Sequence, residues 1–302
     1  MTKPRVLISN IMMLNERPRF DAKLREMGYE PVWATVSQFL DETACLDLIG
    51  EIDGWLAGDD QITRKVLEKA LPRLKVIAKW GTGIDSIDRV AAAELGVPVK
   101  NAPGAFAHAV AEYAIGLILM ANRQLGTVDR AIRAGQWPKP RGRELNGSTL
   151  GMIGYGAIGR RIGELGAGFG MTVVHHDPFS PESLSVDEIA AQSDVVCIAC
   201  ALTPENRGMI NAGFLEKMKS SALLCNVARG PIVKEADLIA ALQSGAIAGA
   251  ALDVFEQEPL PLSSPLINMD NVVLGSHNGN NCIGAVEYVH QVTLDNLAAG
   301  LA

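Results

Sequence analysis

No apolar run in this 302-residue chain is long enough to cross a bilayer. The most apolar helical stretch, residues 105–125, is interrupted by His108, Glu112, Asn122 and Arg123. Its uninterrupted core, residues 113–121, falls short of the about 20 residues that a span requires. An excess of positive charge is missing too. Lys and Arg number 27 against 34 Asp and Glu, and a net charge of −7 leaves no electrostatic footprint for nucleic acid or an anionic membrane. Nothing at the amino terminus reads as a secretory signal, because Met1-Thr2-Lys3-Pro4 runs directly into Val6-Leu7-Ile8. Cysteine is scarce, and the five present fit a reducing compartment. Cys197-x-x-Cys200 lies in or just after a strand-like run, where positions three apart face opposite sides; buried core residues explain it better than a metal site. Repeats and low-complexity tracts are lacking. These absences lead us to expect a cytoplasmic protein with no metal, no membrane and no nucleic-acid partner.

What is there begins with Gly154-Tyr155-Gly156-Ala157-Ile158-Gly159, set between a short apolar run, residues 150–153, and a segment of helical composition. Asp177 follows Gly159 by 18 residues, after another apolar run, residues 171–174. This is the arrangement that holds a dinucleotide. Gly154 permits the tight turn, Gly156 lets the backbone approach a pyrophosphate, and Gly159 lets helix pack closely on strand. The helix amino terminus offers unpaired N–H groups to phosphates. Asp177 can accept bonds from the adenosine ribose and would repel a 2′-phosphate, so the spacing favours NAD over NADP.

Two series of strands alternating with helices follow from the apolar pattern. The first comprises residues 6–8, 31–33, 54–57, 76–78 and 97–99, with a helix at 64–70. The second comprises 150–153, 172–174, 195–199, 222–227, 249–252 and 272–274. Short, continuously apolar strands of this kind belong to parallel sheets covered on both faces. The expected fold is α/β with two Rossmann-like domains. A doubly wound, parallel-sheet NAD-binding domain, residues 100–282, is inserted in a smaller flavodoxin-like substrate domain, residues 1–99 plus 283–302. The last helix, residues 284–301, returns to the first domain. Residues 137–143, with two prolines, read as an extended arm.

Four polar residues stand at the ends of strands in the second series: Arg229, Asp253, Glu258 and His277. Ligands of open α/β sheets bind outside the carboxyl ends of the strands. The chemistry fits hydride transfer beside a carboxylate. Arg229 offers a planar, permanently charged fork. His277 can exchange a proton near neutral pH, and a neighbouring Glu258 favours its charged form. The alternative is that each caps backbone at a strand end.

These motifs resemble the D-isomer-specific 2-hydroxyacid dehydrogenases, in particular a short phosphoglycerate dehydrogenase-like branch without a regulatory domain. The resemblance runs from about Val76 to the carboxyl end. It is carried by Gly81-Thr82-Gly83-Ile84-Asp85, Asn101-Ala102-Pro103-Gly104, Ala111-Glu112-Tyr113, the glycine motif, Asn226-Val227-Ala228-Arg229-Gly230 and the run from Ala251 to Pro259. It implies that Arg229, Glu258 and His277 are catalytic, with NAD as cofactor and a small anionic 2-hydroxy or 2-oxo acid as substrate. It further implies Ala157 and Ile158 on the pyrophosphate turn, Cys200 and Val227 along the cofactor, Asp253 on the nicotinamide carboxamide and Gly279 close to the cofactor. Thr82 and Gly83 would hold the substrate carboxylate with backbone N–H groups. The chain would form a homodimer through the cofactor domain, using residues 105–125 and the arm.

Two features depart from the family pattern. Ser276-His277-Asn278-Gly279-Asn280-Asn281 is rich in amides where apolar and small residues are usual. Asn280 is therefore a candidate substrate contact for a polar or hydroxylated acid, the alternative being amides that bond their own loop. Lys79 is either a contact for a phosphate, as in 3-phosphoglycerate, or for a distal carboxylate, or it is a solvated surface lysine. Other readings on the same scaffold are a phosphite or formate dehydrogenase and a non-catalytic NADH-sensing protein.

Overall fold

A computed structural model describes residues 3–302 and divides the chain into two units, Met1–Ala105 with Ile283–Ala302, and Phe106–Cys282. The first unit carries five parallel strands: β1 (Arg5–Ile8), β2 (Glu30–Trp33), β3 (Gly54–Ala57), β4 (Val76–Lys79) and β5 (Val99–Lys100). Their order is β2-β1-β3-β4-β5. Every residue of β3 and β4 is buried, as two-sided coverage demands. Part of that cover is the helix Ile283–Leu301, which packs on β3 and β4. Glycine permits the approach: a Cβ on Gly300 would stand 2.4 Å from Val76 Cβ. The strand expected at residues 97–99 starts later. Val97 N–H is bonded to Ala92 O, closing the preceding helix, so sheet pairing begins only where Pro98 O accepts Ile77 N–H.

The second unit carries six parallel strands: β6 (Thr149–Ile153), β7 (Thr172–His176), β8 (Val195–Ile198), β9 (Leu223–Asn226), β10 (Gly249–Leu252) and β11 (Val272–Leu274). Their order is β11-β10-β9-β8-β6-β7. The chain winds outward in both directions from the β6–β8 pair, which makes that pair the topological switch point. The helix Ala107–Asn122 covers one side, packing on β9, β10 and on the helix Ala157–Gly168. The rest of the core joins Ile153, Val196, Ile198, Leu224 and Leu252 to Ile189, Phe214 and Leu238. Burying a side chain of this size contributes roughly 1.5–3 kcal/mol.

One helix was expected over residues 105–125. The structure ends it at Asn122 and starts another at Leu125–Arg133, with Gln124 between them at φ +51°. The arm causes the break: Arg143 N–H bonds Asn122 O, and Gly142 packs against the same carbonyl, so the helix cannot extend through it. Among the described residues no helix is long and apolar enough to cross a membrane.

Candidate active site

The glycine loop leaves β6 at Ile153 and enters the helix Ala157–Gly168. Gly154 sits at φ +93°, in the region that side chains resist, and a Cβ there would lie 2.5 Å from Cys200 N at the end of β8. A Cβ on Gly159 would meet Gly154 O at 2.1 Å, so helix and strand touch through bare backbone. Gly156 differs from both. A Cβ there would meet nothing within 4 Å, which leaves open space beside the exposed turn. No side chain caps this helix, and Ala157 and Ile158 open it at the surface or partly buried. Its first N–H groups therefore suit an anion.

Asp177 follows β7 and accepts bonds from Tyr155 N (2.7 Å) and Phe179 N (2.9 Å). Burial acts to raise its carboxyl, but the two N–H bonds, with His175 and Arg160 nearby, hold it below the ordinary carboxylate range. It is thus an anion at neutral pH and disfavours a 2′-phosphate. The open cradle, the uncapped helix and this acid fit NAD. Sequence reasoning missed Tyr155 stacking on His175 at 4.0 Å between ring centroids. No motif marks a residue at a variable position of the hexad. Along the same edge, Val227 is buried and Cys200 half-buried; burial pushes the Cys200 thiol up to about 11, so it is an uncharged wall.

The strand-end residues β9, β10 and β11 supply lie on one edge of the sheet, because parallel strands share their carboxyl ends. The side chain of Asn226 accepts from Ala228 N (3.0 Å) and donates to Arg229 O (3.0 Å), fixing the turn that presents Arg229. Arg229 Nη1 donates to Ala228 O at 2.8 Å. Glu258 Oε1 accepts from Phe255 N at 3.0 Å, and its Oε2 lies 2.7 Å from His277 Nδ1. The expected Glu–His pairing is therefore present as a direct bond between half-buried groups. Asp253 is buried, and its carboxylate accepts from Asn278 N (3.0 Å) and Gly279 N (2.9 Å). Those bonds serve the His277 loop itself, a task the sequence did not reveal. In that loop Asn281 Nδ2 donates to Asn278 Oδ1 at 2.9 Å, so two of the amides bond each other, while Asn280 is half-buried.

In the first unit, Thr82 Oγ1 donates to Ala102 O (3.1 Å), Asn101 Nδ2 donates to Thr82 O (2.6 Å), and Gly83 is partly buried. Lys79 requires a correction. It is not a solvated lysine: it is 4% exposed, with Nζ 3.0 Å from Asp59 Oδ1 and 2.9 Å from Trp80 O. Beside it Asp60, fully buried, accepts from Ser9 Oγ, Leu40 N and Gly58 N, although burial pushes its carboxyl up. The polar strand ends here are spent largely on internal bonds.

Residues 115–279 match the family model described as "D-isomer specific 2-hydroxyacid dehydrogenase, NAD binding domain". The chain is 40% identical to a glyoxylate reductase of Thermofilum pendens over 80% of its own length and 76% of that protein. It is 39% identical to a D-3-phosphoglycerate dehydrogenase of Methanocaldococcus jannaschii over 72% of this chain and 44% of the other. A D-lactate dehydrogenase from Aquifex aeolicus, solved with NAD and lactic acid, superposes with a TM-score of 0.86 at 26% identity, covering 96% of this chain and 93% of that one.

Gly230 ties the Arg229 turn to the Glu258 loop: a Cβ on it would stand 1.8 Å from Phe255 O and 2.5 Å from Glu256 N. Gly230→Ala is expected to push the two loops apart, lowering Tm by overpacking worth about 1–3 kcal/mol and cutting kcat disproportionately. Thermal melts and steady-state kinetics on the same preparation check this; a stable, fully active variant would show that the close contact is not needed.

Proposed function

We propose that this chain, which belongs to the D-isomer specific 2-hydroxyacid dehydrogenase family and is an NAD-dependent oxidoreductase acting on 2-hydroxy and 2-oxo acids, reduces a short, unphosphorylated 2-oxo acid of the glyoxylate or hydroxypyruvate kind. The reading of the catalytic centre rests on the 2.7 Å His277–Glu258 bond on the sheet edge that also bears Arg229. When bound, the nicotinamide exchanges a hydride with C2 of the substrate. Glu258 orients the imidazole through Nδ1, which leaves proton exchange to Nε2. In reduction Nε2 gives its proton to the C2 oxygen; in oxidation it takes the proton from the C2 hydroxyl. Arg229 binds the substrate carboxylate with its planar fork and polarises the adjacent carbonyl. The backbone N–H groups of Thr82 and Gly83 are further carboxylate donors in this reading, and Asn280 a contact for a hydroxylated tail. A protein that only sensed NADH would need neither Arg229 nor His277.

The preference against phosphate rests on Lys79. Its charge is already paired with Asp59, and a second carboxylate, Asp60, is close enough to feel it. In this reading Lys79 has little charge left to offer a phosphate. The same pairing supports the glyoxylate reductase relative over the phosphoglycerate dehydrogenase as the guide to substrate.

We also propose a homodimer formed through the cofactor unit. The helix Leu125–Arg133 buries none of its residues within the chain, and Leu125, Ile132 and Trp137 are exposed. Gly126, Thr127 and Arg130 of the same helix line a cavity of about 780 Å³ whose walls include Met120, Gln124 and Asn271. This cavity runs from the amino ends of β9 and β10 along the edge strand β11, and a second copy would cover it.

With NADH, kcat/KM for glyoxylate or hydroxypyruvate is expected to exceed that for phosphohydroxypyruvate by at least about tenfold, followed by loss of nicotinamide absorbance. The reverse order would overturn the substrate reading. His277→Ala is expected to lower kcat about 10²–10⁴-fold, and full activity in that variant would remove His277 from the mechanism. For the assembly, sedimentation equilibrium should return twice the chain mass of 32.1 kDa; a monomer at micromolar concentration would refute the dimer.

A further inference from the structure

The geometry assigns Tyr113 a positioning role for His277, exerted through the Asp253 carboxylate. Three successive N–H groups of the histidine loop converge on Asp253: His277 N on its backbone O at 2.7 Å, Asn278 N on Oδ1 at 3.0 Å, and Gly279 N on Oδ2 at 2.9 Å. These bonds hold His277 at φ +55°, a left-handed conformation that a residue with a Cβ rarely adopts. The backbone around the imidazole is therefore shaped by one buried carboxylate.

That carboxylate has a neighbour of its own. The hydroxyl of Tyr113, on the helix Ala107–Asn122, lies beside this carboxylate, since both reach the space in front of Gly275, and toward an ionised carboxylate it can only donate. Burial, and after it the charge and bond of Asp253, push the Tyr113 hydroxyl up to about 12, so it keeps its proton throughout the working range. The loop closes tightly on the pair. A Cβ on Gly275 would stand 2.3 Å from Asp253 Oδ1 and 2.8 Å from the Tyr113 hydroxyl, and one on Gly279 would stand 3.1 Å from Asp253 Oδ2 and 3.4 Å from the Tyr113 ring. Glycine at both places lets ring, carboxylate and loop touch. Tyr113 acts at one remove from the chemistry, by setting where Asp253 holds the loop and hence where Glu258 meets Nδ1. This inference rests on His277 as the proton carrier.

Tyr113→Phe keeps the ring and removes the hydroxyl. Hydrogen exchange at the amides of residues 277–279, measured by mass spectrometry on the protein without substrate, should quicken about tenfold or more, the scale of one lost bond to a charged group. In kinetics, kcat should fall by a similar factor, with KM for the oxo acid and affinity for NADH within about twofold. Against a His277→Ala background the same change should cost nothing further, since the positioned group is gone. Unchanged exchange at the three amides would overturn the inference whatever the enzyme turns over. An equal fractional loss of kcat in both backgrounds would overturn it too, by marking a general structural role. Failure of the function reading looks different: His277→Ala would then keep full turnover while the exchange result still judged the clamp.

Discussion

The bond from His277 Nδ1 to Glu258 Oε2 is the interaction on which the rest of the site depends. It fixes which ring nitrogen of a strand-end histidine faces the carboxylate, as the acid and base role proposed for His277 requires. Its two partners come from loops after different strands, β10 and β11, and each loop needs its own restraint. Glu258 is anchored by Phe255 N, and the histidine loop by Asp253. The Arg229 turn is pressed against the glutamate loop because Gly230 has no side chain. A parallel sheet makes this convergence possible, since successive carboxyl ends emerge along one edge.

The same economy governs cofactor recognition. At the β6–β8 switch point the three glycines of the hexad do different work, and the structure separates them by what a Cβ would meet: backbone at Gly154 and Gly159, open space at Gly156. Asp177 is bound to the glycine loop through Tyr155 N, so the acid proposed for the ribose also braces the turn proposed for the phosphates. In the first unit the strand ends are polar for another reason. Lys79 is met by Asp59 and Trp80 O, and Asp60 by Ser9 and nearby backbone N–H groups, as buried charges must be.

Much of this was legible beforehand where the constraint is local. Gly54–Ala57, Arg64–Ala70, Gly249–Leu252 and Val272–Leu274 coincide with the stretches expected from apolar runs and helical composition. The site residues at strand ends were legible because a polar side chain that closes an apolar run has few other places to be. The exceptions share a cause. The helix after residue 107 stops at Asn122 because Arg143, 21 residues further on, occupies its last carbonyl, and the strand near residue 98 shortens because Val97 N–H is already used.

By itself, the sequence determined the glycine hexad, the acid 18 residues beyond it and the Arg, Glu and His that end their strands. Each answers to backbone rules that neighbouring residues impose. Only the tertiary structure decided that Lys79 is buried against Asp59, that Asn281 bonds Asn278, and that Asp253 holds the histidine loop with Tyr113 set beside it. Tyr113 and Asp253 lie 140 residues apart in the chain. Such pairings depend on which side chain a distant helix or strand sets opposite, and on how much water is left between them. Neither quantity is carried by local spacing.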